Sequence, residues 1–108
     1  MAQAKAKITD EVKNQVAEIV KRFNQTVDYP YIARYKGNYL YLDRKTYFGN
    51  PVPICRLEYT GDMQNWGFAI YKYSSERYDP EEWMFPGINH VDGTIEGALK
   101  AGMEAYPD

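Results

Sequence analysis

The stretch that decides the fold is residues 31–73, YIARYKGNYLYLDRKTYFGNPVPICRLEYTGDMQNWGFAIYKY. It contains four runs rich in β-branched and aromatic residues, and such side chains fit a half-buried pleated surface. The runs are separated by Gly37-Asn38, Gly49-Asn50-Pro51 and Gly61-Asp62, which are residue types that favour chain reversal. The stretch therefore predicts a four-stranded antiparallel meander.

The Gly37-Asn38 turn sets the pairing of the first two strands. A two-residue hairpin at this point puts Tyr35 opposite Leu40 and Ala33 opposite Leu42. Because successive side chains point to opposite faces of a strand, the sheet should have two unlike faces. We expect a core face with Tyr31, Ala33, Tyr35, Leu40, Leu42, Cys55, Leu57, Trp66, Phe68 and Ile70. We expect an outer face with Ile32, Arg34, Lys36, Tyr39, Tyr41, Asp43, Arg56 and Glu58.

Helical periodicity flanks the meander on both sides. Apolar residues at Val12, Val16, Ile19, Val20 and Phe23 predict a helix over about 10–24, with Thr9 as its N-cap. A second helix is predicted over about 94–105, capped by Asp92 or Thr94, in which two glycines lower the helix propensity.

The predicted architecture is a two-layer α+β fold. Its element order is α-β-β-β-β-α, with both helices packed on one face of the sheet. Residues 1–8 are predicted to be a flexible tail, and residues 9–108 a single domain. Residues 74–93 show no periodicity, so we expect a long loop that is either functional or folded onto the domain by its own side chains.

Composition narrows the class of protein. The chain has 108 residues and a net charge of −2, which argues against a general polyphosphate binder. Its single cysteine, Cys55, cannot form an intrachain disulfide. Residues 1–7 lack the apolar core of a signal peptide, and no run is long enough to span a membrane. We therefore expect a cytoplasmic protein with no membrane association.

Short sequence motifs along the chain suggest a resemblance to a protein family. They are Pro51-Val52-Pro53 with Arg56 and Tyr59, Trp66-Gly67-Phe68, Ser75-Glu76-Arg77-Tyr78 with Pro80, and Gly93-Thr94 with Ala98. In this order, the chain resembles a family of small uncharacterised prokaryotic domains of unknown function over roughly residues 9–106. The resemblance implies the fold and carries no activity.

Catalytic and metal chemistry have few candidates. His90 is the single histidine, and together with Cys55 it falls short of the four nitrogen or sulfur ligands that a structural zinc site needs. We expect no metal and no cofactor. The acids of the loop leave one enzymatic alternative, a small-molecule enzyme that uses Glu76, Asp79 or His90 in a loop pocket.

The outer face carries the strongest functional signal, because it places cations beside aromatic rings. We expect a non-catalytic binding or protein-interaction module that acts through this face or through the 74–93 loop. The first alternative is single-stranded nucleic-acid binding by stacking on Tyr39 and Tyr41. Self-association through the open face is a further alternative. The candidate binding residues are Arg34, Lys36, Tyr39, Tyr41, Glu76, Arg77, Tyr78, Trp83 and His90.

Overall fold

The computed structural model describes residues 6–47 and 49–107. These residues form a helix, an antiparallel sheet, a short 3₁₀ helix and a second helix. The elements are α1 (Asp10–Asn24), β1 (Tyr31–Lys36), β2 (Tyr39–Arg44), β3 (Val52–Glu58), β4 (Gly67–Lys72), β5 (Arg77–Asp79), the 3₁₀ helix (Ile88–His90) and α2 (Ile95–Ala105).

The described sheet has five strands in the order β1-β2-β3-β4-β5. The α+β architecture is confirmed, but the prediction of four strands is wrong. The fifth strand, β5, lies inside the segment predicted to be an irregular loop, where Tyr78 pairs with Tyr71 of β4. Three residues are too few to show a period of two, and the strand forms because β4 offers it an edge.

The predicted register of the first hairpin is confirmed. Tyr35 pairs with Leu40, and Ala33 pairs with Leu42. The second strand ends at Arg44, before the expected end near residue 47, and the pairing with β3 shifts between Leu42 and Asp43. This β-bulge leaves Ile54 as the extra residue of β3, and Ile54 is buried.

Both helices cover the core face of the sheet. Val12, Val16 and Val20 of α1 and Leu99 of α2 join the same buried cluster as Leu42. The cluster also includes Tyr31, Leu40, Ile54, Cys55, Leu57, Trp66, Ile70, Ile95 and Ala98. The predicted core face is therefore confirmed.

The predicted helix caps are present. The Thr9 hydroxyl accepts a hydrogen bond from the Val12 N–H at 3.2 Å. At the second helix the Thr94 hydroxyl accepts from the Gly97 N–H at 3.0 Å, while an Asp92 carboxylate oxygen accepts from both the N–H and the hydroxyl of Thr94. Each cap satisfies backbone donors that the first turn of a helix leaves open.

Residues 1–5 of the predicted tail lie outside the described residues, and Ile8, its last residue, is buried in the core. Among the helices of the described part, none has the length and apolarity that crossing a bilayer requires.

Candidate binding surface

The outer face is the side of the sheet that the helices leave uncovered. Strand pairing aligns its central row as Arg34 of β1, Tyr41 of β2, Arg56 of β3 and Ala69 of β4. Arginine and tyrosine therefore alternate across β1, β2 and β3 on this face, and cross-strand neighbours of this kind interact.

Two arginine–tyrosine stacks organise this face. The Arg34 guanidinium carbon lies 4.4 Å from the ring centroid of Tyr41, and the Arg56 guanidinium carbon lies 4.4 Å from that of Tyr39. Arg34 is further held by Asp43, whose carboxylate accepts from its Nε at 2.7 Å. This hydrogen bond raises the pKa of Arg34. The guanidinium planes are thus held in place before any ligand arrives.

Tyr78 of β5 joins these stacks into one cluster. Its ring packs edge to face on Tyr41 at 5.3 Å and on Tyr71 at 5.0 Å, and its hydroxyl accepts from Arg34 Nη2 at 3.2 Å. Ala69, although it belongs to the outer face, is only 3 % exposed. The larger side chains around this small residue therefore cover the middle of the face.

Burial in this cluster makes the stability of the fold depend on pH in the alkaline range. Desolvation raises the pKa of Tyr78 to about 12, although the nearby Arg34 lowers it in part, and burial also raises the pKa of Tyr31 and of Cys55. The unfolded phenol has a pKa of about 10. Between about pH 10 and about pH 12 the unfolded chain therefore releases a proton that the folded chain keeps, so stability falls as the pH rises.

We expect Tyr78→Phe to make this fall in stability shallower. The variant keeps the ring but has no phenol to ionise on unfolding, so only groups such as Tyr31 and Cys55 continue to drive the loss. Urea denaturation of the variant and the wild type at intervals from pH 8 to pH 12 measures the slope. An unchanged slope in this range would show that the Tyr78 pKa is not raised by the fold.

A groove lies at the end of this face beside the open edge of β4. It encloses about 350 Å³, which is at the lower end of the range of about 300–1,000 Å³ for ligand pockets. Tyr39 and Arg56 border it on the sheet side, and Trp83 borders it on the loop side. Its remaining lining residues are Glu58, Trp66, Gly67, Phe68, Ala69, Pro80 and Val91.

Two tryptophans give the groove its aromatic walls. Trp83 is 61 % exposed, which is unusual for so large an apolar side chain. Trp66 is only 3 % exposed, and its ring packs on Tyr59 at 4.7 Å. Within the described ranges the Trp66 indole N–H has no acceptor. The groove is thus lined by one exposed and one buried tryptophan.

The structure brings together five of the predicted binding residues. Arg34, Tyr39, Tyr41 and Tyr78 share the aromatic cluster, and Trp83 lines the same groove as Tyr39. Lys36 lies at the end of the same face, opposite Tyr39, and is exposed.

The other predicted residues lie elsewhere. Glu76 is exposed in the turn before β5, where its φ is 52°, and Arg77 contacts the Asp79 carboxylate at 3.5 Å. His90 lies 2.9 Å from a carboxylate oxygen of Glu104 in α2. Among the contacts of the described part, none joins Glu76, Asp79 and His90 to one another.

Two acids of the 74–93 segment, Asp79 and Glu82, are paired with cations. Lys72 lies 2.9 Å from a Glu82 carboxylate oxygen and 3.9 Å from one of Asp79. In the portion of the chain that the structure describes, no three His, Cys, Asp or Glu residues are grouped closely enough to hold a metal ion.

Sequence reasoning missed three contributors to this surface. Arg56 is predicted on the outer face but is absent from the candidate binding residues, although its position between the inward-facing Cys55 and Leu57 was the signal. Gly67 and Ala69 give the groove a floor without large side chains, and their small size in a strand pattern was the cue for close approach.

Fold and surface together define a small α+β domain with an aromatic, arginine-bearing outer face. Comparisons of the chain with protein-family models, with curated protein sequences and with solved structures found no match. The resemblance to a family of uncharacterised prokaryotic domains therefore stays a prediction.

Proposed function

We propose that this chain is a non-catalytic binding module whose binding surface is the groove between the outer face and the loop that carries Trp83. The observation that supports it most strongly is the position of Trp83. The side chain is largely exposed, yet it lines the same groove as the stacked pair of Tyr39 and Arg56. Both surfaces that the sequence marks for binding, the outer face and the 74–93 loop, meet there.

The chemistry of the groove suits recognition more than catalysis. Tryptophan, tyrosine and arginine are the residue types that supply most binding energy at interfaces, because they bury large areas at a small cost in conformational entropy. Arg56 is already stacked on Tyr39, so little further ordering is needed when a ligand enters. The groove therefore offers rigid aromatic anchors around a small floor.

We expect Trp83→Ala to weaken binding at this groove by about thirtyfold or more, because truncation of a central tryptophan typically costs at least about 2 kcal/mol. The measurement is a fragment screen of small aromatic and amide compounds against the ¹⁵N-labelled chain, in which perturbed amide and indole signals identify hits and titrations give their Kd values. Trp83 is mostly exposed, so the variant should keep the wild-type thermal midpoint.

Met84→Ala is the matched control. Met84 follows Trp83 on the same loop and is 91 % exposed, but it does not line the groove. Its truncation should leave the Kd values of groove-binding fragments unchanged. The proposal fails if fragments bind the two variants equally well, or if their signals map to a different surface.

Single-stranded nucleic-acid binding is the second candidate function. The flat stacks of Arg34 on Tyr41 and Arg56 on Tyr39 favour it, since they present cationic planes to the solvent side of the sheet. Against it, each stack already uses one face of its tyrosine ring, and the net charge of the chain is −2. An affinity for oligonucleotides that falls steeply with salt concentration would favour this candidate over the first.

We place the module in the cytoplasm, with a partner protein or a second copy of the chain as its binding partner. The support for a reducing compartment is the lone Cys55, which is fully buried as a free thiol. The support for a macromolecular partner is the exposed Trp83 beside the half-exposed tyrosines of the outer face.

A further inference from the structure

We propose that the groove receives an extended peptide segment of a partner protein, one residue of which pairs with the backbone of Phe68 at the open edge of β4. This inference rests on the proposed function, because it names the ligand class of the same groove. Its basis is a gap in the edge of the sheet that lies beneath the aromatic walls.

The backbone of Phe68 faces the groove. Backbone groups of successive strand residues point alternately to the two sides of a strand. The Trp66 N–H donates to the carbonyl of Gly93 at 2.8 Å and not to the chain of β3, which pairs with the next residue, Gly67, so Gly93 lies on the side of β4 away from β3. Phe68, two residues later, must face the same side. Two residues further on, Ile70 pairs with Asp79 of β5.

The hydrogen bonds that join β2, β3 and β4 give the same orientation for the Phe68 backbone. The Tyr59 N–H donates to the carbonyl of Asn38 at 2.9 Å, flanking the pair that Glu58 makes with β2. Such flanking bonds belong to a non-hydrogen-bonded pair, so Glu58 directs its own backbone groups toward Gly67 of β4. Gly67 therefore faces β3, and Phe68 faces the open side.

The Phe68 backbone groups have no partner on this side within residues 6–47 and 49–107. The strand pairs of β5 stop at Ile70, and no backbone or side-chain hydrogen bond reaches the N–H or C=O of Phe68. The chain turns after Asp79, where the Glu81 N–H donates to the Asp79 carboxylate at 3.0 Å and the Glu82 N–H donates to the Asp79 carbonyl at 3.4 Å, so the ladder does not continue to Phe68. The sheet edge thus has a gap of one residue between Gly93 and Asp79.

The gap lies inside the groove, between apolar walls. Phe68 and Pro80 both line the groove, together with Trp83 and Val91. Trp66, which is almost fully buried, also lines this part of the groove. An occupant would therefore meet one backbone donor, one backbone acceptor and a surrounding aromatic surface.

A residue of an extended peptide complements this backbone donor, this backbone acceptor and the aromatic surface around them. It carries its own N–H and C=O on one side with the spacing of a β-bridge, which an isolated anion or cation does not. Its neighbouring side chains point alternately to the two faces, toward Trp83 or away from it. Because Gly93 and Asp79 close the two ends of the gap, the peptide makes a single bridge and does not add a full strand.

The experiment uses the ¹⁵N-labelled chain and acetylated, amidated heptapeptides that alternate Val with Thr around a variable central residue. We expect binding to shift both indole signals and to slow amide exchange of Phe68 by at least about tenfold. The matched control peptide is N-methylated at one residue at a time. Methylation at the bridging residue removes its donor and should weaken binding about tenfold, whereas methylation of its immediate neighbours, whose N–H groups point away from β4, should have little effect.

The outcomes separate this inference from the proposed function. If peptides or fragments bind at Trp83 but Phe68 exchange is unchanged and the methylation scan is flat, the β-bridge is wrong while the binding module stands. The peptide is also the wrong occupant if only oligonucleotides bind. It is wrong as well if Phe68 protection grows with protein concentration and light scattering shows a doubled mass, because a second copy of the chain then fills the groove. If none of these probes perturbs the groove, both proposals fail.

Discussion

Gly102→Ala is expected to destabilise the protein by about 1–3 kcal/mol, although replacing glycine in an exposed helix usually stabilises it by about 1 kcal/mol. A Cβ atom at position 102 would lie 2.6 Å from Cγ2 of Ile54 and still closer to the hydroxyl of Tyr31. That hydroxyl is buried and donates to the Leu99 carbonyl at 2.8 Å, so it cannot move aside without losing the bond. Urea denaturation followed by tryptophan fluorescence measures the change.

Two further variants show whether close packing is the cause. Lys100 is an exposed residue of the same helix, so Lys100→Ala should change stability by no more than about 0.5 kcal/mol. Tyr31→Phe removes the atom nearest to the new methyl group, so the double variant with Gly102→Ala should lose less than the sum of the single losses. A neutral or stabilised Gly102→Ala protein would show that α2 does not depend on this close approach to the sheet.

Leu42→Ala is expected to cost about 2–5 kcal/mol, which is a large part of the total stability of a domain of this size. Leu42 is fully buried between Ala33 of β1 and Cys55 of β3, where its removal leaves a cavity that rigid neighbouring strands cannot close. Chemical denaturation and the thermal midpoint both report the loss.

Lys45→Ala provides the comparison. This residue lies one position beyond the end of β2 and is exposed, so its truncation should change stability by at most about 0.5 kcal/mol. If Leu42→Ala cost as little as Lys45→Ala, the assignment of the core face would be wrong, because the two faces of a strand differ only in which alternate residues are buried.

The first hairpin and the first helix were predictable because their signals are local. Gly37-Asn38 sets a two-residue turn, and that turn alone fixes the register of β1 on β2. The first helix spans Asp10–Asn24, the range that its apolar period indicates. Gly102 shows the limit of local signals: its low helix propensity was visible in the sequence, but the partners that require it, Tyr31 and Ile54, are distant along the chain.

The residues of the outer face could be predicted from the sequence, but the groove could not. Alternation along the strands, together with the hairpin register, is enough to place Arg34, Tyr39 and Tyr41 on one side of the sheet. The path of the 74–93 segment brings Trp83 to the groove that Tyr39 also lines, and that path follows from β5 pairing with β4 and from the turn after Asp79. No period within the segment encodes either contact.

By itself, the sequence determined the α+β class, the hairpin register, the helix caps and the residues that face inward, because turns, caps and periodicity act between residues close together in the chain. Only the tertiary structure decided the fifth strand, the gap at Phe68 and the aromatic groove. These features arise where a short segment packs against the edge of a sheet formed by residues distant along the chain. The three residues of β5 are too few to show the alternation that would predict this pairing. The feature on which the proposed function depends is therefore the one that long-range packing creates.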